Sequence, residues 1–492
     1  MFERITPEEA GISSLRVAEY IEKLERRGFA MHSVLMAKGD KLFCEAYWQP
    51  YHKDECHRMY SQTKSYTAIG IGLLIDDGKL SLDDKVAQYF TDVTERDLPP
   101  NLAELTVRNL LMMQTAGCGH NWFSSSDEDR AHLYMNAASA NRRPGTVWEY
   151  DSAGSQLLAQ LVDRLAGKPL FDFLYERIFQ YLGTFKTAEI LKTRNGASWG
   201  DSALVCTPRD MVSFARFLMD GGRVNGKQLL SEAFIKEATS PLADNNITGF
   251  RRENSYGYGY QIWCWEQGFG FNGMGCQFTV AVPESDLIFV CTADNQGHTA
   301  GSDVIIGSFF DDIVYKASPT PLAPDPKAAA ALDALVSGLT LATAYGAANS
   351  PLITDINGRV YRAEENRTGI KWFSFHFLDD GTGELHYENA QGEKVLPFGL
   401  GKNVITQFPQ YGYSDGYGGL RTDNGFTYRC ASSVAFGREH LLHLRVQIID
   451  RYLGNMFASF GFRGNDVTVR MTKNAEDFLN EYYGFFTATA EQ

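Results

Sequence analysis

Two polar side chains at the start of an apolar segment have the types and the spacing of a nucleophile and its base. Ser61 and Lys64 stand three residues apart, and the segment 61–76 is apolar nearly all round, which predicts a buried helix. Free backbone N–H groups at a helix N-terminus can stabilise an oxyanion that forms beside Ser61. Burial reduces the preference of a lysine for its charged form, so Lys64 could accept the serine proton. The structural alternative is that Ser61 caps the helix and Lys64 is exposed.

A tyrosine and a glycine-rich segment could complete such a site. Tyr150 lies in a loop between the turn Pro144-Gly145 and a helix expected at 155–166, and a phenol there can donate and accept a proton. The segment 268–277 is rich in glycine and leads into a buried strand, so a substrate could lie along that strand edge. Its G-x-G-x-x-G pattern is not followed by a helix, which argues against a dinucleotide loop.

Composition and charge exclude several classes of protein. Hydrophobic residues make up 44% and charged residues 22% of the 492 residues, which is typical of a globular protein. The net charge of −14 lacks the electrostatic footprint of a nucleic-acid binder. The eight cysteines are scattered without metal-binding spacing, which predicts reduced thiols and no metal site. The N-terminal MFERITPEEAGISSL lacks the pattern of a signal peptide, so we expect a cytoplasmic protein.

A proline-rich stretch divides the chain. Four of the sixteen prolines fall between residues 319 and 326, which predicts a stiff connector at 318–326 between domains 1–317 and 327–492. The first domain mixes helices and strands and reads as α+β, with an antiparallel sheet and a helical region. Its expected elements are helices at 13–28, 61–76, 155–166 and 209–220, a hairpin at 33–38 and 41–48, and strands at 277–282 and 287–293.

The second domain has the pattern of an all-β fold. Leu442, Leu444, Val446 and Ile448 alternate with polar residues, which is the period of a half-buried strand. After a short helix at 327–337, similar runs are separated by turn residues, and they are expected at 371–377, 383–388 and 466–472. These runs predict an antiparallel β-barrel or sandwich.

Together the motifs resemble those of a known superfamily. S-x-x-K at 61–64, Tyr-x-Ser at 150–152 after Pro-Gly, and a glycine-rich strand edge follow one another as in serine β-lactamases and penicillin-binding proteins. The chain is most similar to the branch of class C β-lactamases, esterases and D-aminopeptidases, over about residues 5–315. The resemblance implies a β-lactamase-like domain, and the C-terminal barrel resembles the lipocalin-like accessory domains of some members.

The resemblance also assigns a role to each motif residue. It implies that Ser61 is the nucleophile, that Lys64 is its base, and that Tyr150 protonates the leaving group and assists deacylation. The oxyanion hole would consist of the backbone N–H groups of Ser61 and Met274. The substrate contacts expected from the resemblance are Ser152, Phe271, Asn272, Gly273 and His120, although His120 would serve equally well as a surface residue.

Two positions depart from the family pattern. Ser152 stands where asparagine is common, and a hydroxyl replaces only part of the hydrogen bonding of an amide. Phe271 stands where the third motif usually begins with lysine or histidine, so the cation that would meet the carboxylate of a β-lactam or a D-Ala-D-Ala peptide is missing. We therefore expect an uncharged, apolar acyl group near Phe271 and an esterase-like activity.

The sequence thus predicts a serine hydrolase that cleaves a small-molecule ester or amide through an acyl-enzyme on Ser61, with no metal or organic cofactor. The catalytic alternatives are a D-amino-acid-specific peptidase or amidase and a β-lactamase or DD-peptidase. An alternative of another class is an inactive hydrolase fold used as a binding module. The expected partner is a small molecule or short peptide, not a nucleic acid or a membrane. The barrel would cap the active site or support a homo-oligomer.

Overall fold

The computed structural model describes residues 2–118, 125, 127–246, 256–298, 300–410, 428–475 and 479–491. Contacts divide the chain into two compact units, one up to Thr340 and one from Leu341 onward. The helix Pro326–Ser337 belongs to the first unit because it packs against the helix Ser14–Arg26. This division lies later in the chain than the proline-rich stretch, and the limits 1–317 and 327–492 remain a proposal.

The first unit consists of short and long helices packed against a central sheet. Its helices are α1 (Ser14–Arg26), α2 (Thr63–Asp76), α3 (Pro100–Ala103), α4 (Val107–Leu111), α5 (Arg130–Met135), α6 (Ser152–Ala166), α7 (Leu170–Leu174), α8 (Gln180–Leu182), α9 (Pro208–Met219), α10 (Glu232–Ala238), α11 (Gly301–Ser308) and α12 (Pro326–Ser337). Its strands are β1 (Glu3–Arg4), β2 (Met31–Lys38), β3 (Lys41–Tyr47), β4 (His57–Arg58), β5 (Glu189–Ile190), β6 (Leu204–Cys206), β7 (Arg223–Val224), β8 (Lys227–Gln228), β9 (Trp263–Trp265), β10 (Gly268–Gly273), β11 (Gln277–Val282) and β12 (Leu287–Ala293). Within the described ranges, no helix is long and apolar enough to cross a membrane.

The central sheet has the order β1-β3-β2-β12-β11-β10-β9. Neighbouring strands are antiparallel except β1 and β3, which run parallel. The helix α2 is apolar nearly all round, and its residues from Thr63 to Leu74 are all buried. Burial of each of its leucine and isoleucine side chains contributes about 1.5–3 kcal/mol, so α2 is held firmly in the core. The predicted α+β class is confirmed.

A small second sheet holds the segment that leads into α2. β4 pairs with β6, and β6 pairs with β5. The backbone N–H of Met59 donates to the Leu204 carbonyl at 2.8 Å, and the N–H of Leu204 donates to the Thr63 hydroxyl at 2.9 Å. These bonds join the start of α2 to the first residue of β6, although Thr63 and Leu204 are 141 residues apart along the chain.

A buried histidine pair supports the same segment. His57 Nδ1 lies 2.9 Å from the Arg58 carbonyl oxygen, so Nδ1 carries the hydrogen and Nε2 accepts. His32 Nδ1 lies 2.7 Å from His57 Nε2 and must therefore be the donor of that bond. Burial lowers the pKa of His57 to about 4, so this imidazole is neutral at pH 7 and acts as a structural group.

The second unit is a closed β-barrel with a short helix, α13 (Leu352–Ile356). Its strands are β13 (Val360–Ala363), β14 (Trp372–Phe377), β15 (Thr382–Asn389), β16 (Gly392–Leu400), β17 (Val404–Gln407), β18 (Arg429–Phe436), β19 (Leu441–Ile449), β20 (Leu453–Arg463), β21 (Asp466–Ala475) and β22 (Gly484–Ala490). Antiparallel neighbours follow the order β16-β15-β14-β13-β22-β21-β20-β19-β18-β17, and a parallel pairing of β16 with β18 closes the ring. Stacked and edge-on aromatic rings, including Phe373, Phe375 and Phe460, fill the interior. The predicted all-β, lipocalin-like barrel is confirmed.

Candidate active site

The turn before α2 places Ser61 at the start of a buried helix. Residues Tyr60–Gln62 form a single 3₁₀ turn that continues into α2. Tyr60 has a φ of 48°, a left-handed conformation that residues other than glycine rarely adopt. The Thr63 hydroxyl donates to the Tyr60 carbonyl at 2.6 Å, and the Arg58 guanidinium lies 4.6 Å from the centre of the Tyr60 ring. Strained backbone that its surroundings hold in this way is typical of functional turns.

The structure brings the Lys64 amine to the Ser61 hydroxyl. Lys64 Nζ lies 3.0 Å from Ser61 Oγ, and the lysine side chain is only 2% exposed. Lys64 Nζ also donates to the backbone carbonyl of Asp201 at 2.7 Å. The serine hydroxyl and the amine are therefore within hydrogen-bond distance in a site shielded from water, which is the arrangement that a nucleophile and its base require.

Tyr150 lies beside the same amine. Lys64 Nζ is 5.1 Å from the centre of the Tyr150 ring. An aromatic ring also supports Tyr150. It stacks on Trp263 with 5.9 Å between ring centres and 21° between ring planes. Trp148 packs edge-on against Trp263 and also contacts Tyr150. Lys64 and Trp263 thus fix the orientation of a half-buried phenol that can exchange protons with the site.

The residue after Tyr150 has a structural role. The Asp151 carboxylate caps α6 by accepting the N–H of Gly154 at 3.0 Å, and it also accepts the Thr115 hydroxyl at 2.7 Å. This cap makes α6 begin at Ser152, three residues before the predicted start at 155. Ser152 is the half-buried first residue of the helix, directly after the loop that carries Tyr150.

The glycine-rich segment is itself a strand, β10, and it packs against the nucleophile turn. A Cβ atom on Gly273 would lie 2.1 Å from the Met59 carbonyl oxygen, so only glycine permits this approach. Met274 follows directly and is 41% exposed, at the turn between β10 and β11. The backbone of Met274 therefore comes close to the segment that holds Ser61, as an oxyanion hole formed by both residues requires.

A buried glutamine braces that turn. Gln277 Nε2 donates to the Met274 carbonyl at 2.9 Å and to the Ala293 carbonyl at 2.6 Å. Gln277 Oε1 accepts the N–H of Ala293 at 3.0 Å, and the side chain is fully buried. The carboxamide therefore links the turn to the end of β12 and fixes the backbone that directly follows the Met274 N–H.

Replacement of Gly273 by alanine should displace the catalytic groups and leave the overall fold in place. The added Cβ pushes β10 away from Met59, and a displacement of about 1 Å in a catalytic geometry can lower the rate about 100-fold. We expect Gly273→Ala to lower kcat/KM for an ester substrate by about that factor, measured by steady-state kinetics. The control is Gly338→Ala, since a Cβ there would make only ordinary contacts at 3.6 Å. Equal activity of the two variants would contradict this close packing.

Phe271 does not face the site, and the expectation that it meets the substrate is corrected. Its side chain is fully buried, with its ring centre 5.6 Å from that of Phe214 and 6.1 Å from that of Tyr66. Alternation along β10 turns Phe269 and Phe271 into the apolar core, whereas Asn272, the residue after Phe271, is half-buried. Position 271 still supplies no cation to the site, but the Phe271 ring is part of the apolar core and not of the substrate pocket.

The remaining predicted contacts have different outcomes. Asn272 lies on the opposite face of β10 from Phe271, and its Oδ1 atom is buried with no hydrogen-bond partner among the described residues. Gly273 lies at the end of the strand and contacts the nucleophile segment through its backbone. His120 lies outside the described residues. The described part of the chain contains no group of three His, Cys, Asp or Glu residues that could hold a metal ion.

Three residues of the site were not found from the sequence, namely Asp201, Trp263 and Gln277. Each reaches the site through contacts between segments that are far apart along the chain, and none has a spacing of its own that indicates chemistry. The one usable signal was the position of Gln277 directly after the glycine-rich segment, at the start of a buried strand.

Comparison with known proteins shows the same fold and related activities. The family model described as Beta-lactamase matches residues 17–304. The chain is 24% identical over 280 residues to the 6-aminohexanoate-dimer hydrolase of Paenarthrobacter ureafaciens, covering 53% of this chain and 71% of that protein. It is 26% identical over 172 residues to the lovastatin esterase of Penicillium rubens, covering 30% and 43%. A solved structure from Bacillus anthracis, provisionally assigned as a 6-aminohexanoate-dimer hydrolase, superposes with a TM-score of 0.51 and 19% identity, covering 63% of this chain and 86% of that chain.

Proposed function

Since this chain belongs to the Beta-lactamase family and is a serine hydrolase, we propose that it cleaves a small-molecule ester or amide through an acyl-enzyme on Ser61. The observation that carries the proposal is the 3.0 Å contact between Lys64 Nζ and Ser61 Oγ at the buried start of α2. The alternative of an inactive fold used as a binding module would not require this contact, nor the aromatic support of Tyr150 beside it.

In the proposed acylation step, neutral Lys64 accepts the proton of the Ser61 hydroxyl while Oγ attacks the carbonyl carbon of the substrate. Negative charge develops on the carbonyl oxygen and is stabilised by the backbone N–H groups of Ser61 and Met274. The bond to the leaving group then breaks, and Tyr150 donates a proton to the departing oxygen or nitrogen. Lys64 returns a proton to Tyr150, which leaves the acyl group as an ester on Ser61.

In the proposed deacylation step, a water molecule attacks the acyl ester. Tyr150 accepts a proton of the water while its own phenolic proton passes to Lys64, and Lys64 then supplies the proton that Ser61 Oγ takes up. The same oxyanion hole stabilises the second tetrahedral intermediate, because its negative charge develops on the same oxygen. Ser61 Oγ leaves, takes up a proton and is free for the next turnover. The proposed scheme uses only protein groups and water.

We propose that the substrate is uncharged at the position where a β-lactam carries its carboxylate. The third motif of this chain reads Phe-Asn-Gly at 271–273, so it supplies no cation to an anionic substrate. The two relatives named above are a hydrolase of a 6-aminohexanoate dimer and an esterase of lovastatin, which supports both amides and esters as substrate classes. A D-amino-acid-specific peptidase or amidase remains the alternative within the same chemistry.

A substrate panel tests this proposal. We expect p-nitrophenyl esters to be hydrolysed with a kcat/KM about 100-fold above that for nitrocefin, because an unpaired carboxylate forfeits a charge-assisted hydrogen bond of about 1.5–3 kcal/mol. A D-aminoacyl p-nitroanilide in the same panel measures the peptidase alternative, and Ser61→Ala serves as the blank. Nitrocefin turnover equal to or faster than ester turnover would contradict the proposed uncharged substrate.

We further propose that the protein acts in the cytoplasm on a small molecule or short peptide. No disulfide joins the buried thiols of Cys44, Cys206 and Cys430, which supports a reducing compartment. Subcellular fractionation tests the location, and light scattering on the purified protein tests the homo-oligomer that the sequence left open.

A further inference from the structure

The environment of Lys64 contains a buried carboxylate that the proposed mechanism has not used. Asp201 is 1% exposed, and its Oδ2 atom lies 3.8 Å from Lys64 Nζ. Asp201 Oδ2 accepts the hydroxyl of Ser202 at 2.6 Å, whereas Oδ1 is buried with no hydrogen-bond partner among the described residues. A buried carboxylate with an unsatisfied oxygen is costly, so it favours a positive charge that forms beside it.

The charged and titratable side chains near Lys64 can be compared to find which of them faces its amine. The titratable and charged side chains on the elements packed around it are Tyr60 before α2, Tyr66 and Asp76 on α2, His57 and Arg58 on β4, Tyr150 and Asp151 before α6, Asp163 and Arg164 on α6, Asp172 on α7, and Asp201 before β6. Asp76 and Arg164 are exposed, and burial lowers the pKa of His57 to about 4, so that imidazole is neutral. Asp163 accepts the N–H of Ser198, and Asp172 is exposed. Burial raises the pKa of Tyr66 well above its usual range, so that phenol stays neutral.

The other two charged groups have different partners. The Arg58 guanidinium lies between the rings of Tyr60 and Trp199, at 4.6 and 4.5 Å, and its Nε donates to the Ser202 carbonyl. The Asp151 carboxylate is occupied by the cap of α6 and by Thr115. The carboxylate that faces the amine of Lys64 is therefore that of Asp201.

We propose that Asp201 is a positioning residue that holds Lys64 Nζ against Ser61 and stabilises the ammonium group that forms there during acylation. Its backbone carbonyl fixes the amine at 2.7 Å, and its carboxylate supplies the opposite charge at 3.8 Å. The inference rests on the proposed function. In the step that Asp201 assists, the proton moves from Ser61 Oγ to Lys64 Nζ while the bond from Oγ to the acyl carbon forms.

Asp201→Asn removes the negative charge of the carboxylate but keeps the backbone carbonyl that accepts the hydrogen bond from Lys64 Nζ. Without the negative charge, the ammonium form of Lys64 is less favoured, so Lys64 becomes neutral at lower pH and is also a weaker base. We expect the acid limb of the kcat/KM profile for a p-nitrophenyl ester to move down by about one pH unit. We expect the plateau above that limb to fall about tenfold.

Two further variants make the measurement specific. Asp201→Glu keeps the charge, so its acid limb should stay at the position of the wild-type protein even where its plateau is lower. Asp163→Asn removes a carboxylate that supports the same loop through the N–H groups of Ser198 and Leu170, at 2.8 and 2.7 Å. A loss of loop support alone lowers the thermal midpoint and scales the whole profile, without moving its limb.

The outcomes distinguish the inference from the proposed function. A limb that moves in Asp201→Asn and not in Asp201→Glu or Asp163→Asn supports the inference. A wild-type profile and an Asp201→Asn profile of the same shape would overturn it while leaving Ser61 as the nucleophile. Failure of a fluorophosphonate probe to label the wild-type protein would instead overturn the proposed function.

A second variant tests the inference if Asp201→Asn does not fold. Ser202→Ala removes the hydroxyl that Asp201 Oδ2 accepts, so Oδ2 can approach Lys64 Nζ and the acid limb should move to higher pH. An unmoved limb in Ser202→Ala would then overturn the inference.

Discussion

Ser61→Ala is expected to lower kcat/KM for ester hydrolysis by at least about 10⁴-fold, a larger effect than the loss of the Lys64 amine should cause. The variant removes the oxygen that would carry the acyl group, and neither Lys64 nor Tyr150 can replace it as nucleophile in the proposed scheme. The residual rate would come from binding and from the oxyanion hole alone. The measurement is steady-state hydrolysis of a p-nitrophenyl ester, with the variant purified separately from the wild-type protein.

The Ser61→Ala protein should keep its fold. Ser61 is half-buried, and the backbone bonds that hold its turn come from Met59, Thr63 and Leu204. We therefore expect the thermal midpoint to stay close to that of the wild-type protein, since a small side chain outside the core is lost. Retention of more than about a tenth of the ester hydrolysis in a folded Ser61→Ala protein would exclude an acyl-enzyme on this residue.

Lys64→Met is expected to lower kcat/KM by about 10³-fold, because general-base assistance typically contributes about 10²–10⁴-fold. Methionine has a similar length, so it fills the space of the lysine stem and removes only the amine. Ser61 then retains its position at the start of α2 but loses the group that accepts its proton at 3.0 Å. Single-turnover acylation by the ester probe measures this step directly, because it excludes deacylation.

A control is needed because Lys64→Met also leaves the Asp201 carboxylate buried beside an apolar side chain. Breaking a buried ion pair on one side is destabilising, so the thermal midpoint of the single variant should fall. The double variant Lys64→Met/Asp201→Asn removes both charges and should recover part of that stability without recovering acylation. Recovery of acylation in the double variant would mean that Lys64 stabilises the folded structure and does not act as the general base.

Local sequence patterns predicted the features that depend on short-range spacing. Ser61 and Lys64 lie three residues apart, Ser61 in the 3₁₀ turn that continues into α2 and Lys64 in the first turn of α2. β11 and β12 have the bounds that their apolar runs predict. Such patterns suffice because helix and strand periodicity decide which residues share a face. The all-β nature of the C-terminal unit followed from the period-two alternation of residues 442–448 in the same way.

Patterns of this kind could not predict contacts between distant segments. Asp201 meets Lys64 because β4 pairs with β6, and no local signal indicates that pairing. The direction of Phe271 was also beyond the sequence, because the glycines in β10 hide the alternation that turns its ring into the core. The early start of α6 depends on the cap that the Asp151 side chain provides, a choice among neighbouring polar residues that packing decides.

The most direct test of the central claim is mass spectrometry of the protein after reaction with a fluorophosphonate probe. The account predicts a single added probe mass per chain, located by peptide mapping on the peptide that contains Ser61. It also predicts no added mass on Ser61→Ala under the same conditions. A probe mass on another serine, or ester hydrolysis that continues while Ser61 stays unmodified, would contradict the assignment of Ser61 as the nucleophile.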